Sequence, residues 1–355
     1  MWFYVALFAA LFPIVSYVFP ILLSKTRAVT NLNQRYGKCW ALVTGGSSGI
    51  GRAIVRKVAS QGINIVIVAR DQMKMDLIAQ EIRIKYDVEV KTISADLSTG
   101  EGSFSPADKV LSLTEDLDIR MVFLNAGYMT VTPINTSLVN DTDTDAVLNR
   151  AKKMKRCLVD ANIDLSHRLF ERIRNQDRKG AIVFISSAAS YFPFPVYSHY
   201  AASKAYVRLM ALSLAIEAKG TGIDVLSIQP GPVKTAFFDD LPSTFWLRMA
   251  IRIFGSTPDK IAHIALQCLG RVHSRDVGTF TISSRILDRF FPIERWLKTF
   301  GLAFSMFAPS KKKEQKKEKA AEESDEISET KELTQLQEDI VEEGDIEFPE
   351  GYFME

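Results

Sequence analysis

The sequence predicts an α/β protein built on a doubly wound parallel sheet, with a membrane anchor before it and a disordered tail after it. Two observations predict the sheet. Ile182-Val183-Phe184-Ile185 is a β-branched apolar run between Gly180 and Ser186-Ser187, the composition of a strand buried on both faces. Residues 39–43 read as a strand, followed by the turn Thr44-Gly-Gly-Ser-Ser-Gly-Ile-Gly51, a helical run over 52–60 and an apolar strand over 63–69, which is βαβ spacing. A third observation predicts the appendages: residues 2–23 carry no charge, and the character of the chain changes again after Pro309.

The turn and the segment after residue 185 carry the chemistry. Glycines at 45, 49 and 51 allow a tight turn and a close backbone approach to a pyrophosphate, and the following helix offers free N–H groups to that charge. Tyr200-Ala-Ala-Ser-Lys204 opens a long helix of small and apolar residues reaching Glu217. Positions i and i+4 share a helix face, so Tyr200 and Lys204 address one point. A phenol titrates near 10, and a neighbouring ammonium favours its ionised form. A serine hydroxyl at the end of the strand would hold a carbonyl oxygen for the tyrosine to protonate. The set is a carbonyl-reduction site in outline.

Together these residues resemble the short-chain dehydrogenase/reductase superfamily over roughly residues 38–285. The TGxxxGIG turn, Asn125-Ala126-Gly127 after a fourth strand, the Ser–Tyr–Lys set and Pro230-Gly231-Pro-Val-Lys-Thr235 follow one another in the superfamily's order. Within it, GKCWALVTG, IKYDVEVKTISADLS and GAIVFISS with FPFPVYSHYAASK are similar to membrane-bound very-long-chain 3-oxoacyl-CoA reductases and 17β-hydroxysteroid dehydrogenase type 12-like proteins. The 3-ketodihydrosphingosine reductases share the anchor and the GGSSGIG turn. The resemblance implies a Rossmann fold and an NADPH-dependent reductase of a lipid keto group, foremost a long-chain 3-oxoacyl-CoA. The alternatives are 3-ketosphinganine reduction, steroid or retinoid oxidoreduction, or a non-catalytic nucleotide-binding scaffold. It also implies catalytic roles for Ser187, Tyr200, Lys204 and Asn162. Cofactor contacts fall to Thr44, Gly45, Ser47, Ser48, Gly49, Ile50, Gly51, Arg70, Asp96, Asn125, Ala126, Gly127, Tyr200, Lys204, Pro230, Gly231, Val233 and Thr235.

In chain order, residues 1–24 are expected to be a retained transmembrane anchor, since the uncharged run has about the ~20 residues that cross a bilayer core. A cleaved signal peptide fits poorly, because no basic residue precedes the run and Lys25 and Arg27 follow it. Lys25, Arg27, Arg35 and Lys38 place the domain on the cytosolic side, and the resemblance implies that the membrane is that of the endoplasmic reticulum. Asn135-Thr-Ser and Asn140-Asp-Thr match the glycosylation acceptor pattern and would report the opposite orientation.

The second strand ends Val68-Ala69-Arg70-Asp71. By the family's pattern Ala69 stands where NAD enzymes carry an acid, and Arg70 supplies a fork for a 2′-phosphate. A helix is expected over 72–85 and a strand over 88–95, which by the family's pattern brings Asp96 beside the adenine. Residues 98–108 read as a polar loop, and 125–162 as a surface insertion about nine residues longer than in relatives. Asn162 lies upstream of Ser187 at about the family's distance, so it is chosen as the fourth catalytic residue, holding a water that links Lys204 to solvent. Ser187 is preferred to Ser186 for its separation from Tyr200. A strand over 225–229 ends at Pro230-Gly231, where a nicotinamide would lie, and Thr235 resembles the residue that contacts the carboxamide. Residues 236–256 are rich in large apolar side chains and read as a flap over an apolar ligand or against a membrane.

Residues 286–309 mix aromatic and basic side chains and are expected to lie in the membrane interface. Residues 310–355 hold 7 lysines against 16 acids and read as a disordered tail, basic and then acidic. Three scattered cysteines, Cys39, Cys157 and Cys268, suggest reduced core thiols, and four histidines without ligand spacing predict no metal. The expected partners are a lipid-like small molecule and a membrane, with no nucleic acid; a homodimer is allowed.

Overall fold

Each strand of the domain is a short, nearly continuous apolar run, and such strands need cover on both faces. The computed structural model provides it. It describes residues 28–100, 105–134, 143–235 and 251–290, together with residues 15, 17–19, 21–22, 237, 294 and 298. The strands are β1 (Trp40–Thr44), β2 (Asn64–Ala69), β3 (Val90–Ser94), β4 (Ile119–Leu124), β5 (Gly180–Ile185), β6 (Ile223–Pro230) and β7 (Ser274–Val277). They form one parallel sheet in the order β3-β2-β1-β4-β5-β6-β7.

The helices are α1 (Leu32–Tyr36), α2 (Gly49–Ala59), α3 (Gln72–Tyr86), α4 (Pro106–Ser112), α5 (Thr144–Lys155), α6 (Ala161–Asn175), α7 (Ser198–Glu217), α8 (Pro258–Cys268) and α9 (Thr279–Phe290). Alternate strand residues serve the two faces. Ala41, Val43, Ile65, Ile67, Ala181 and Val183 join one core with Ile54 of α2, Ile78 of α3 and Ile261 of α8. Leu42, Val66, Val68, Ile182 and Phe184 join the other with Val110 of α4, Leu169 of α6 and Val207 of α7. Strand order reverses between β1 and β4, so the crevice beyond their carboxyl ends is where a ligand of such a sheet binds.

Three expectations change in detail. The helix after the glycine turn begins at Gly49 rather than at residue 52, so the turn and the helix N-terminus overlap. The polar loop 98–108 ends in a helix start, where Ser105 and Asp108 form a reciprocal capping box. The insertion is helical over its described second half: α5 is capped by Asp143 and runs through a π turn, Arg156–Asp160, directly into α6. Its Thr, Asn and Asp residues are caps and exposed faces of a helix whose Val147, Ala151 and Met154 are buried. The acceptors Asn135 and Asn140, most of the expected anchor and flap, and the tail lie outside the described residues. Among those described, no helix is long and apolar enough to cross a membrane. Cys39, Cys157 and Cys268 are free and buried.

The chain before β1 is tied to the base of the sheet. Asp224 on β6 accepts from Arg35 Nε (2.7 Å), Arg35 Nη2 (2.9 Å) and the Tyr36 hydroxyl (2.7 Å). Asp224→Ala removes all three partners' acceptor and is expected to cost about 1.5–3 kcal/mol. The measurement is urea unfolding followed by tryptophan fluorescence, where the midpoint should fall with the slope unchanged.

Candidate active site

The crevice begins with the glycine turn. Gly45 N donates to Val68 O (2.7 Å), which folds the turn over the end of β2. A Cβ on Gly51 would lie 2.0 Å from Gly45 O, so only glycine lets the helix start this close to the turn, and Gly49 sits at φ +51°. Ser48 takes the N-cap position of α2 in extended conformation without capping it through its side chain. The first N–H groups of α2 are thus left to an anion, as a pyrophosphate requires. Ser47 and Ile50 flank the turn, Ile50 packing on the core.

Thr44 and Asn125 lock the ends of β1 and β4 together. Thr44 Oγ1 accepts from the N–H groups of Asn125 (2.9 Å) and Ala126 (3.0 Å), while Asn125 Nδ2 donates to the carbonyls of Thr44 (3.0 Å) and Gly45 (3.2 Å). Gly127 follows, and a Cβ there would lie 3.6 Å from Lys204 Nζ. Across the turn, Thr235 stands close enough that a Cβ on Gly49 would meet its methyl group at 3.1 Å. Gly231, just past Pro230 at the end of β6, donates to Val277 O (2.9 Å), and Val233 bridges to Ser256. Pro230, Gly231, Val233 and Thr235 therefore leave the sheet on the same side as the turn.

On the far side of the turn, Arg70 is exposed at the end of β2, its carbonyl accepting from Ser94 Oγ (3.0 Å). Asp71, the acid beside Arg70, is engaged elsewhere: its Oδ1 caps α3 by accepting from Lys74 N (2.9 Å). Asp96 Oδ1 accepts from Ser98 N (2.9 Å) and Ser98 Oγ (2.7 Å), a turn that fixes its carboxylate at the end of β3. These groups fit a dinucleotide with a phosphorylated ribose: an uncapped helix end, a glycine cradle and a free basic fork.

Ser187, Tyr200 and Lys204 come together at the end of β5. The Ser187 hydroxyl stands near enough to Tyr200 to oppose a rise in the phenol's pKa, and it accepts from Ala189 N (3.2 Å). Lys204 Nζ lies 5.9 Å from the centre of the Tyr200 ring and donates to Ile185 O (2.8 Å). Ser186 turns inward and donates to Lys204 O (2.7 Å), a structural bond that anchors α7. Asn162 is buried on α6, but its Nδ2 donates to Leu158 O (2.6 Å) of the π turn rather than engaging Lys204. Phe237 stacks obliquely on Tyr200 at 6.0 Å, and Phe192, Phe194 and Tyr197 continue an aromatic wall.

Electrostatics reverse one expectation. The sequence pairs Tyr200 with an ammonium that lowers its pKa; in the folded chain burial prevails and pushes Tyr200 up to about 12, against the opposing influence of the Ser187 hydroxyl. Burial also brings Lys204 down to about 8, with the nearby Cys157 thiol acting in the other direction. Tyr200 is thus held as the protonated phenol at neutral pH. Sequence reasoning read Cys157 as a core thiol but had no motif to set it near Lys204, and it missed the π turn that supports Asn162.

The short chain dehydrogenase family profile matches residues 39–244. The chain belongs to this family. It is accordingly an oxidoreductase acting on CH–OH groups. The "inactive hydroxysteroid dehydrogenase-like protein 1" of Pongo abelii is 31% identical over 271 residues, covering 76% of this chain and 77% of that protein. The very-long-chain 3-oxoacyl-CoA reductase of Anas platyrhynchos is 32% identical over 61% of this chain and 69% of its own length. A structure determined for insights into 7beta-hydroxysteroid dehydrogenase stereoselectivity is 28% identical, with a TM-score of 0.66, and covers 77% of this chain and all of that one.

The lysine makes a stability prediction. With a folded pKa near 8 and an unfolded one near 10.5, the unfolded chain binds more protons between those values, so stability rises with pH across that window and the cost of burying the ammonium is fully present below 8. Lys204→Met should therefore be more stable than wild type at pH 7, by about 1–3 kcal/mol. The advantage should shrink as pH climbs from about 8 to 10.5 in paired denaturation curves; a difference independent of pH would show that Lys204 is not buried as a charge.

Proposed function

We propose that the chain is an NADPH-dependent reductase of a keto group on a lipid substrate, foremost a long-chain 3-oxoacyl-CoA. The observation that supports this best is the convergence of Ser187, Tyr200 and Lys204 beside the glycine turn and under an aromatic wall. NADPH, when bound, supplies the hydride. Its pyrophosphate would be held by Gly45, Ser47, Ser48, Gly49, Ile50 and Gly51, its 2′-phosphate by Arg70, and its adenine flanked by Asp96. Asn125, Ala126, Gly127, Pro230, Gly231, Val233 and Thr235 would line the rest of the crevice, with Thr44 bracing it. Ser187 holds the carbonyl oxygen, and Tyr200, kept protonated by burial, gives that oxygen its proton. Lys204 titrates close to neutrality and re-protonates Tyr200, with Asn162 steadying the water that connects it to solvent.

Domain limits of 1–24, 38–285, 286–309 and 310–355 remain part of this proposal, although α9 runs across the boundary at 285. So do residence in the endoplasmic reticulum membrane with the domain facing the cytosol, and homodimer formation. Outward-facing Val15, Phe19 and Leu22, each more than half exposed, support membrane contact by the N-terminal segment. A second reading, a nucleotide-binding scaffold without activity, is favoured by similarity to the Pongo abelii protein, which is named as inactive. The convergence of Ser187, Tyr200 and Lys204 at the end of β5 favours the enzyme.

Purified protein given NADPH and a panel of long-chain 3-oxoacyl-CoA, 3-ketosphinganine and steroid ketones should oxidise NADPH fastest with the first. No oxidation with any of them would support the scaffold. Tyr200→Phe should lower kcat by at least about 100-fold, the scale of a lost general acid, with NADPH affinity by fluorescence nearly unchanged. Turnover within a few-fold of wild type would exclude Tyr200 as the acid. Arg70→Ala should weaken NADPH by about 1.5–3 kcal/mol and NADH far less, measured as two dissociation constants. Equal loss for both nucleotides would show that Arg70 does not contact the 2′-phosphate.

A further inference from the structure

Asp276 lies on β7, buried and away from the Ser187–Tyr200–Lys204 set, and three distant parts of the chain meet on its carboxylate. The Tyr17 hydroxyl donates to Oδ2, the Tyr191 hydroxyl to Oδ1 (2.7 Å), and Arg285 Nε of α9 stands 3.7 Å from Oδ2. The Tyr191 ring lies between two guanidinium groups, Arg285 at 4.0 Å and Arg208 of α7 at 4.8 Å from its centre. Next to Asp276, Arg275 Nη2 donates to Ile21 O (3.3 Å), a second tie to the same N-terminal segment. That segment faces two ways. Tyr17 and Ile21, four residues apart, turn toward β7, and Ile21 is buried; Val15, Phe19 and Leu22 turn out, apolar and exposed.

Tyr191 is four residues beyond Ser187 and begins the loop that delivers Tyr200. The same loop is pinned to α9 by Phe192, whose ring meets Phe280 edge to face at 6.1 Å. Two phenols on one buried carboxylate are charge-assisted bonds, stronger than neutral ones, and loss of either leaves acceptor capacity uncompensated away from water. The position of the loop between Ser187 and Tyr200 therefore depends on a residue almost 260 positions from Asp276 in sequence.

We propose that Asp276 is a positioning residue that makes the segment around Tyr17 a working part of the active site, holding the loop 188–197 in place through Tyr191. The N-terminal segment does more than tether the domain: its apolar face is offered to lipid while its inner face sets the wall of the substrate cleft. This rests on the proposed reductase activity for its kinetic consequence, but not for its structural one.

The test uses the full chain in detergent micelles, with Tyr17→Phe, Tyr191→Phe and the double variant. Hydrogen–deuterium exchange is followed by peptide, and steady-state kinetics are measured with NADPH and a long-chain 3-oxoacyl-CoA. Tyr17→Phe should speed exchange in 188–197 by about 10-fold, with β1 to β5 as protected as in wild type. It should raise KM for the acyl-CoA by about 5-fold with kcat within about 2-fold. Because both hydroxyls act through one carboxylate, the double variant should exceed the worse single variant by no more than about 2-fold. Tyr17→Phe with unaltered exchange in 188–197 would overturn the proposal, as would faster exchange spread evenly over the whole sheet. So would single-variant effects that multiply independently. A wild-type protein that does not turn over the acyl-CoA would count against the substrate assignment alone, and the exchange data would still decide the role of Asp276.

Discussion

A reciprocal pair of hydrogen bonds between the end of β5 and the first turns of α7 sets the geometry on which the site depends. Lys204 Nζ donates to Ile185 O, and Ser186 Oγ donates back to Lys204 O. Helix and strand are thus clamped at the residue that precedes Ser187 and at the residue one turn beyond Tyr200. Since Lys204 is fully enclosed, the carbonyl of Ile185 substitutes for water as its hydrogen-bond acceptor, and the ammonium retains its charge only weakly. The lysine is a bolt in the fold as well as the residue proposed to re-protonate Tyr200. Ser186, adjacent to Ser187, is the other half of that bolt.

Much of this was legible in the sequence because the signals were local. The run 182–185 and the small-residue helix after it have compositions that only a buried strand and a close-packed helix satisfy, and the turn at 44–51 needs its glycines where the backbone crowds itself. The doubly wound sheet followed from those pieces. The helix within the surface insertion went unread, although the apolar spacing of Val147, Ala151 and Met154 has a helical period. The raised pKa of Tyr200 was also hidden, since a sequence displays the neighbouring charge but not the burial that outweighs it.

Asp276 was out of reach for a different reason. It is a single acid in a short polar strand, and its partners are set by tertiary placement alone: an N-terminal tyrosine, a loop tyrosine and an arginine of α9. Arg70 stands between these cases. Its identity was read from the strand end, yet the observation that strengthens it is that Asp71 is occupied in capping α3, which no pattern of letters reveals.

The π turn at Arg156–Asp160 adds one residue to what would otherwise be a single rod from 144 to 175. Each residue of an α-helix turns the chain by roughly 100°, so that one extra position re-aims everything before it relative to everything after it. Upstream, Met154 is directed at the aromatic wall near Tyr200; downstream, Leu165 and Leu169 are directed at the sheet. The rod therefore works as two keys cut on one shaft. A change of length by one residue within 156–160 would turn one key against its lock.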